Sequence, residues 1–101
     1  MQAIKKVEII IEYMELARLL EVLKKEALAV GYTVIKEAFG AGGRGEMAGD
    51  GLSGEFTNSY LLIACSEDEA NRIVEIVRPI LKRFGGVCLV SDAMWVKHEQ
   101  A

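Results

Sequence analysis

The residues best suited to chemistry are bunched. Seven of the ten glycines lie between positions 40 and 54, and the run Gly40-Ala41-Gly42-Gly43-Arg44-Gly45 opens that stretch. Glycine admits left-handed backbone angles and lets a ligand approach the main chain closely. Successive backbone N–H groups can then form a nest for an anion, and the Arg44 guanidinium is a fork suited to phosphate. The spacing is not that of a Walker-type loop, which needs a Lys-Ser/Thr pair and a helix directly after it. The plain alternative is a solvated connection. Against it, a loop this long is uncommon inside a small domain and is usually functional. Met47, Leu52 and Phe56 are scattered within or beside it, which suits a segment that orders on a partner.

Two further stretches have weaker claims. In Arg83-Phe84-Gly85-Gly86-Val87, the glycine pair reads either as a helix C-cap with a turn, or as a short loop approaching phosphate between Lys82, Arg83 and the next strand. In Gly31-Tyr32-Thr33, the Thr33 hydroxyl could bond a base or ribose. Catalytic groups are scarce. His98 is the one histidine and reads as a surface residue near the end of the chain. Neither a Ser/His/Asp set nor a Cys/His set is suggested by spacing, so a nucleophilic enzyme is not expected. Cys65 and Cys88 lack the CxxC spacing of a metallochaperone and read as small buried thiols. Ser59-Tyr60-Leu61-Leu62-Ile63 has one aromatic and no basic residue, unlike an RNA-binding strand.

These candidates must be positioned by a single small domain. The chain has 101 residues, 51% of them hydrophobic and 27% charged, with a net charge of −3 and a pI near 5.2. That excludes disorder and makes a broad basic face for nucleic acid implausible. No apolar run reaches the ~18–20 residues that span a bilayer. Met1 to Lys6 lacks a secretory pattern, and the expected setting is cytoplasmic with reduced thiols.

Residues 4–12 alternate as a strand. From Met14 the period changes, and Leu16, Leu19, Leu20, Leu23 and Ala27 fall on one helix face, with Gly31 expected to punctuate its end. Tyr32–Ala38 predicts a second strand and Phe56–Cys65 a third. Ser66 and Glu69 have capping-box spacing at the start of a second helix, whose buried face is Ile73, Val77, Ile80, Leu81 and Phe84. Pro79 inside it predicts a kink. Val87–Val90 and Met94–Lys97 predict a last strand, bent near Asp92.

The order β-α-β, long loop, β-α-β predicts an α+β, ferredoxin-like βαββαβ fold: a four-stranded antiparallel sheet in the order 4-1-3-2 with two helices on one face. The first strand would separate Cys65 from Cys88, which disfavours a disulfide. Apolar residues occur on both strand faces, as in Ile9 and Ile11 against Ile10. Helices cover one face, so the other is expected to meet another copy in a closed homo-oligomer.

Gly31-Tyr32-Thr33-Val34, Gly40-Ala41-Gly42-Gly43-Arg44, Gly85-Gly86-Val87 and Val90-Ser91-Asp92-Ala93, in this order on this pattern, resemble the PII signalling superfamily. The resemblance runs from about Lys6 to His98. It implies a non-enzymatic homotrimer that binds adenine nucleotide in clefts between subunits and signals through a T-loop, here residues 39–55, to a transporter or carbon-metabolism partner. Carried onto this chain, it implies nucleotide contacts from Thr33, Gly40, Gly42, Gly43, Arg44, Leu62, Ile63, Ala64, Gly85, Gly86 and Val87. Arg44 and Gly43 would also hold bicarbonate or another small anion, and Gly45, Glu46, Met47, Asp50 and Leu52 would face the partner.

The chain departs from the well-known nitrogen-signalling members. Their loop before the last strand has the form TGxxGDGK; here it is shorter, and Val87 stands in place of the phosphate-holding lysine. Lys97 and His98 stand where an arginine pair is found, and no tyrosine lies between Phe39 and Glu55, which excludes uridylylation there. A weaker phosphate grip favours AMP or ADP over ATP with magnesium. The run from Val77 to Ala93 is most similar to short PII-like proteins associated with carboxysomes and inorganic-carbon transport, which implies bicarbonate as a second ligand. The alternative on the same trimer is a divalent-metal-linked stress or efflux protein, for which Glu46, Asp50, His98 and two thiols make a poor ligand set.

Overall fold

Alternation in the first strand sets the architecture. In β1 (Gln2–Glu12), Val7, Ile9 and Ile11 are almost wholly buried, while Ile4, Lys6, Glu8 and Ile10 turn to the opposite face. The computed structural model describes residues 1–26, 31–39 and 57–98. The other elements are α1 (Leu16–Lys25), β2 (Tyr32–Ala38), β3 (Asn58–Cys65), α2 (Glu67–Phe84) and β4 (Val87–Trp95). The sheet order is β2-β3-β1-β4, all neighbours antiparallel. This is the expected ferredoxin-like fold.

Both helices lie on one face. Leu19 and Leu23 of α1 and Ala70, Ile73, Val77 and Ile80 of α2 pack with Val7, Ile9 and Ile11 of β1 and Leu61, Ile63 and Cys65 of β3. Each such side chain removed from water contributes about 1.5–3 kcal/mol before entropy is counted. Helix α2 begins where its residues require. Ser66 Oγ accepts from the Glu69 amide at 3.1 Å, and Glu69 Oε1 accepts from the Ser66 amide at 2.8 Å. Its other end is closed by Gly85, whose N–H donates to the Leu81 carbonyl at 2.8 Å.

Three boundaries differ from expectation. The helix expected from Met14 opens with a 3-10 turn over Tyr13–Glu15 that carries no side-chain cap; Met14 is exposed and α1 proper begins at Leu16. That helix ends at Lys25 with Glu26 as its cap, not at Gly31. There the Arg72 guanidinium donates to the Glu26 carbonyl at 3.0 Å, satisfying a helix-end acceptor from the neighbouring helix. The last strand is one unbroken element with no break at Asp92. Asp92 lies directly opposite Lys5 in an unbroken ladder and pairs with its ammonium. Ala27 and Phe56 lie outside the described residues.

Pairing of β2 with β3 is interrupted between Ile35 and Ala38. Ser59, buried on the helix side, spans the gap: its hydroxyl donates to the Lys36 carbonyl at 2.6 Å. Such irregularities bend a strand, and this one lies just before residues 40–56. Cys65 and Cys88 are free, facing Lys5 and Ile9 of the intervening β1 from opposite sides. Burial pushes both thiols above their usual pKa, with Glu69 adding to the effect at Cys65.

Candidate functional site

Register places the expected contacts in two groups. Thr33 of β2 lies directly opposite Leu62 of β3, and Ala64 follows two residues on, so these three share the helix-free face of the sheet. Ile63 lies between them in sequence but turns the other way. It is 1% exposed and belongs to the core, so its side chain serves the fold and not a ligand. Period two makes that inevitable: adjacent strand residues cannot both point into one cleft.

Gly85, Gly86 and Val87 form the second group, at the start of β4, where Val87 pairs with Ile10 of β1. The order β2-β3-β1-β4 separates β2 from β4 by three strand spacings, roughly 14 Å at about 4.8 Å each. Thr33 therefore lies at one edge of the sheet and Val87 at the other. The expected contacts of one protomer thus fall into two groups at opposite edges of the described sheet. Gly40, Gly42, Gly43, Arg44, Gly45, Glu46, Met47, Asp50 and Leu52 lie outside the described residues, as does nearly all of the segment at 39–55; Phe39, its first residue, is 84% exposed.

The glycine pair does more for the fold than for an anion. Gly85 has φ 81° and ψ 174°, a region essentially restricted to glycine, and its N–H is committed to Leu81. Gly86 has φ 126°, and a Cβ there would lie 2.6 Å from the Ile10 carbonyl oxygen. Both glycines let the chain turn tightly out of α2 into β4. They also follow a helix C-terminus, where the dipole repels anions. Positive charge comes from side chains: Lys82 and Arg83 in the last turn, with Arg83 and Arg18 each 5.1 Å from the Phe84 ring centroid.

Each end of the β3 group has a hollow. Ile10, Ile35, Ala38, Phe39, Asn58 and Tyr60 line an apolar one of about 340 Å³ where β2 and β3 lead toward residues 40–56. At the other end Ala64 borders a hollow of about 360 Å³ that also includes Glu67, Glu69 and Trp95. Its carboxylates are unfavourable neighbours for phosphate.

Sequence reasoning missed one cluster on the helix-free face. The Tyr60 hydroxyl donates to Glu8 Oε2 at 2.6 Å, and Lys6 Nζ lies 3.9 Å from Glu8 Oε1. The Glu8 bond, with burial adding to it, pushes the Tyr60 phenol above its usual pKa. The signal was available only through register: Tyr60 is 52 residues from Glu8 and reaches it because Ile10 pairs with Tyr60 one pleat away.

Comparison with known proteins agrees with this architecture. The chain superposes on CPII, a nitrogen regulatory PII-like protein of Thiomonas intermedia K12 solved with ADP, AMP and bicarbonate, with TM-score 0.76, 22% identity and coverage of 96% of this chain and 97% of that one. A PII-like signalling protein of Thermus thermophilus superposes with TM-score 0.72, 27% identity and coverage of 94% and 91%. CPII without ligand superposes with TM-score 0.71, 20% identity and coverage of 92% and 91%. No curated protein sequence matches. The sequence model described as nitrogen regulatory protein P-II matches residues 4–100, and the chain belongs to that family.

Proposed function

We propose that this protein is a non-enzymatic PII-like regulator that binds an adenine mononucleotide, AMP or ADP, between neighbouring copies of a homotrimer. The observation that carries the proposal is the division of the site: Thr33 and Leu62 at one sheet edge, Gly86 and Val87 at the other. Copies set in a ring with their helix-free faces turned inward bring the β2 edge of one beside the β4 edge of the next, which closes the halves into one cleft. The ligands of CPII, namely ADP, AMP and bicarbonate and ADP, AMP and acetate, support this choice of ligand classes.

In this reading the base lies toward Leu62 and Ala64, with Thr33 bonding its polar edge. The phosphates lie away from Glu67 and Glu69, near Gly86, Val87 and Arg44. A single or double phosphate suits a cleft where Val87 offers no cation. Bicarbonate would take the Arg44 fork and the Gly43 amide. Residues 45–55 would then contact a transporter or a carbon-metabolism protein, and a ligand can shift that contact only by the difference in its affinity for the two loop states. Among the described residues no helix is long and apolar enough to cross a membrane. Glu46 and Asp50, which the metal-linked alternative would use, lie outside the described residues.

Calorimetry with AMP, ADP and ATP, each with and without bicarbonate, tests the reading. The expected result is saturable binding of AMP or ADP, weaker binding of ATP, and a loss of affinity of about tenfold or more in Arg44→Ala for ADP, as removal of a charge-assisted bond implies. No binding of any of the three at millimolar concentration refutes it.

A further inference from the structure

We propose that Lys6, Glu8 and Tyr60 form a polar pin that seats one copy of this chain on the next across the helix-free face of the sheet and fixes their register. The proposal rests on the homotrimer reading and adds the groups that specify the contact.

Glu8 stands at the centre of that face. It lies on an interior strand, between Leu62 of β3 and Leu89 of β4 directly opposite on either side. Ile10 follows it on the same face, in the row Ile35, Tyr60, Ile10, Val87. Ile35, Val87 and Leu89, with Trp95 farther along β4, are each about half exposed. This is an apolar surface with the Lys6–Glu8 ion pair near its middle. The Glu8 side chain is already reduced to 24% exposure within a single protomer, against 43% for Lys6.

The carboxylate is incompletely served there. Oε2 receives the Tyr60 hydroxyl at 2.6 Å; Oε1 has the Lys6 ammonium at 3.9 Å, beyond hydrogen-bonding distance. A carboxylate accepts about four hydrogen bonds and an ammonium donates three, so both groups have capacity directed out of the protomer. Covering this face with an apolar partner would strand them, which is strongly unfavourable.

A second copy is the occupant that carries the matching charges. Lys6 and Glu8 are two residues apart on the same strand face, so the surface is its own complement when copies meet in a closed ring: Lys6 of one copy reaches Glu8 of the next. The apolar rows supply attraction but tolerate sliding. The charges do not, because a slip leaves each carboxylate with only the Lys6 ammonium of its own copy, 3.9 Å away and beyond hydrogen-bonding distance, and its remaining acceptor capacity covered by apolar side chains. Buried polar groups that select register and number of copies are a recognised use of such residues.

The test is sedimentation of the full-length chain from nanomolar to micromolar concentration, with far-UV circular dichroism to check folding. Glu8→Lys and Lys6→Glu are expected to weaken association by roughly 100-fold or more with unchanged helical signal. The double variant Lys6→Glu/Glu8→Lys should recover most of that loss. Unchanged association in either single variant, or a double variant no better than the singles, overturns the pin. A wild-type chain that is monomeric throughout overturns the trimer reading itself, which separates the two failures. If the reversals do not fold, Glu8→Gln decides. It keeps an acceptor for Tyr60 and removes the charge, with about tenfold weaker association expected and no change overturning the pin.

Discussion

Replacing Gly86 by alanine tests whether the glycine pair before β4 belongs first to the fold. A Cβ at Gly86 would lie 2.6 Å from the Ile10 carbonyl oxygen, 3.0 Å from Leu81 Cδ2 and 3.5 Å from Ile11 Cα. The leucine methyl can swing aside. The carbonyl cannot, because Ile10 is held in the central strand between Tyr60 and Val87. Relief must come from moving the start of β4, at the expense of about one ladder hydrogen bond, worth ~1 kcal/mol. Residue 86 also sits at φ 126°, which adds roughly 1–3 kcal/mol of strain for any residue with a Cβ.

Together these put Gly86→Ala about 2–4 kcal/mol below wild type, since the two contributions add. For a domain of this size that is a fall in Tm on the order of 10–25 °C. Urea unfolding followed by circular dichroism, at one fixed protein concentration because association contributes to stability, measures it. Gly31→Ala is the control: a Cβ there meets nothing within 4 Å, and its stability should stay within about 0.5 kcal/mol of wild type or rise slightly. A Gly86→Ala protein as stable as wild type, or a Gly31→Ala protein equally damaged, refutes the reasoning.

Two other perturbations follow from single side chains. Pro79 is exposed inside the continuous helix α2, where it donates no hydrogen bond to the preceding turn, so Pro79→Ala should stabilise the protein by about 1–3 kcal/mol; a lower Tm would show that Pro79 is needed for packing. The Tyr60 phenol, bonded to Glu8 and held above its ordinary value of 10.0, stabilises the fold fully below pH 10 and loses that contribution as pH rises through its own, higher pKa. Tyrosinate absorbance should therefore lose its highest-pH step in Tyr60→Phe, and a wild-type protein whose three tyrosines all ionise near the usual value would contradict the bond.

Local rules made most of the frame legible. Ser66 and Glu69 announce a helix start through two reciprocal hydrogen bonds that only their spacing permits, and both bonds form. Alternation announced β1 as a strand, and in the structure that alternation puts Val7, Ile9 and Ile11 in the core. The failures mark interactions between distant residues. The end of α1 is served by Arg72 from α2, 46 residues away, so Gly31 was a poor guide. The continuity of β4 through Asp92 lies in its unbroken pairing with β1, whereas the sequence shows only a polar Ser-Asp pair. Leu62, Ile63 and Ala64 adjoin along the chain, while the strand divides their side chains between faces, with Ile63 in the core. Lys6, Glu8 and Tyr60 became a cluster only when register was known.

The proposed division of the site between copies has a consequence for its ligand. If Thr33 and Val87 contact one nucleotide only across a boundary between copies, the free monomer binds it with half its contacts. Ligand and assembly are then linked: nucleotide must stabilise the association of copies, and association must tighten nucleotide binding by the same factor. The break in pairing between Ile35 and Ala38 lies next to this boundary and just before residues 40–56, with Ser59 bridging it through a single hydrogen bond to Lys36. A ligand held against β2 would therefore lie beside an irregular stretch of the sheet, where a change of one hydrogen bond is worth about 1 kcal/mol net.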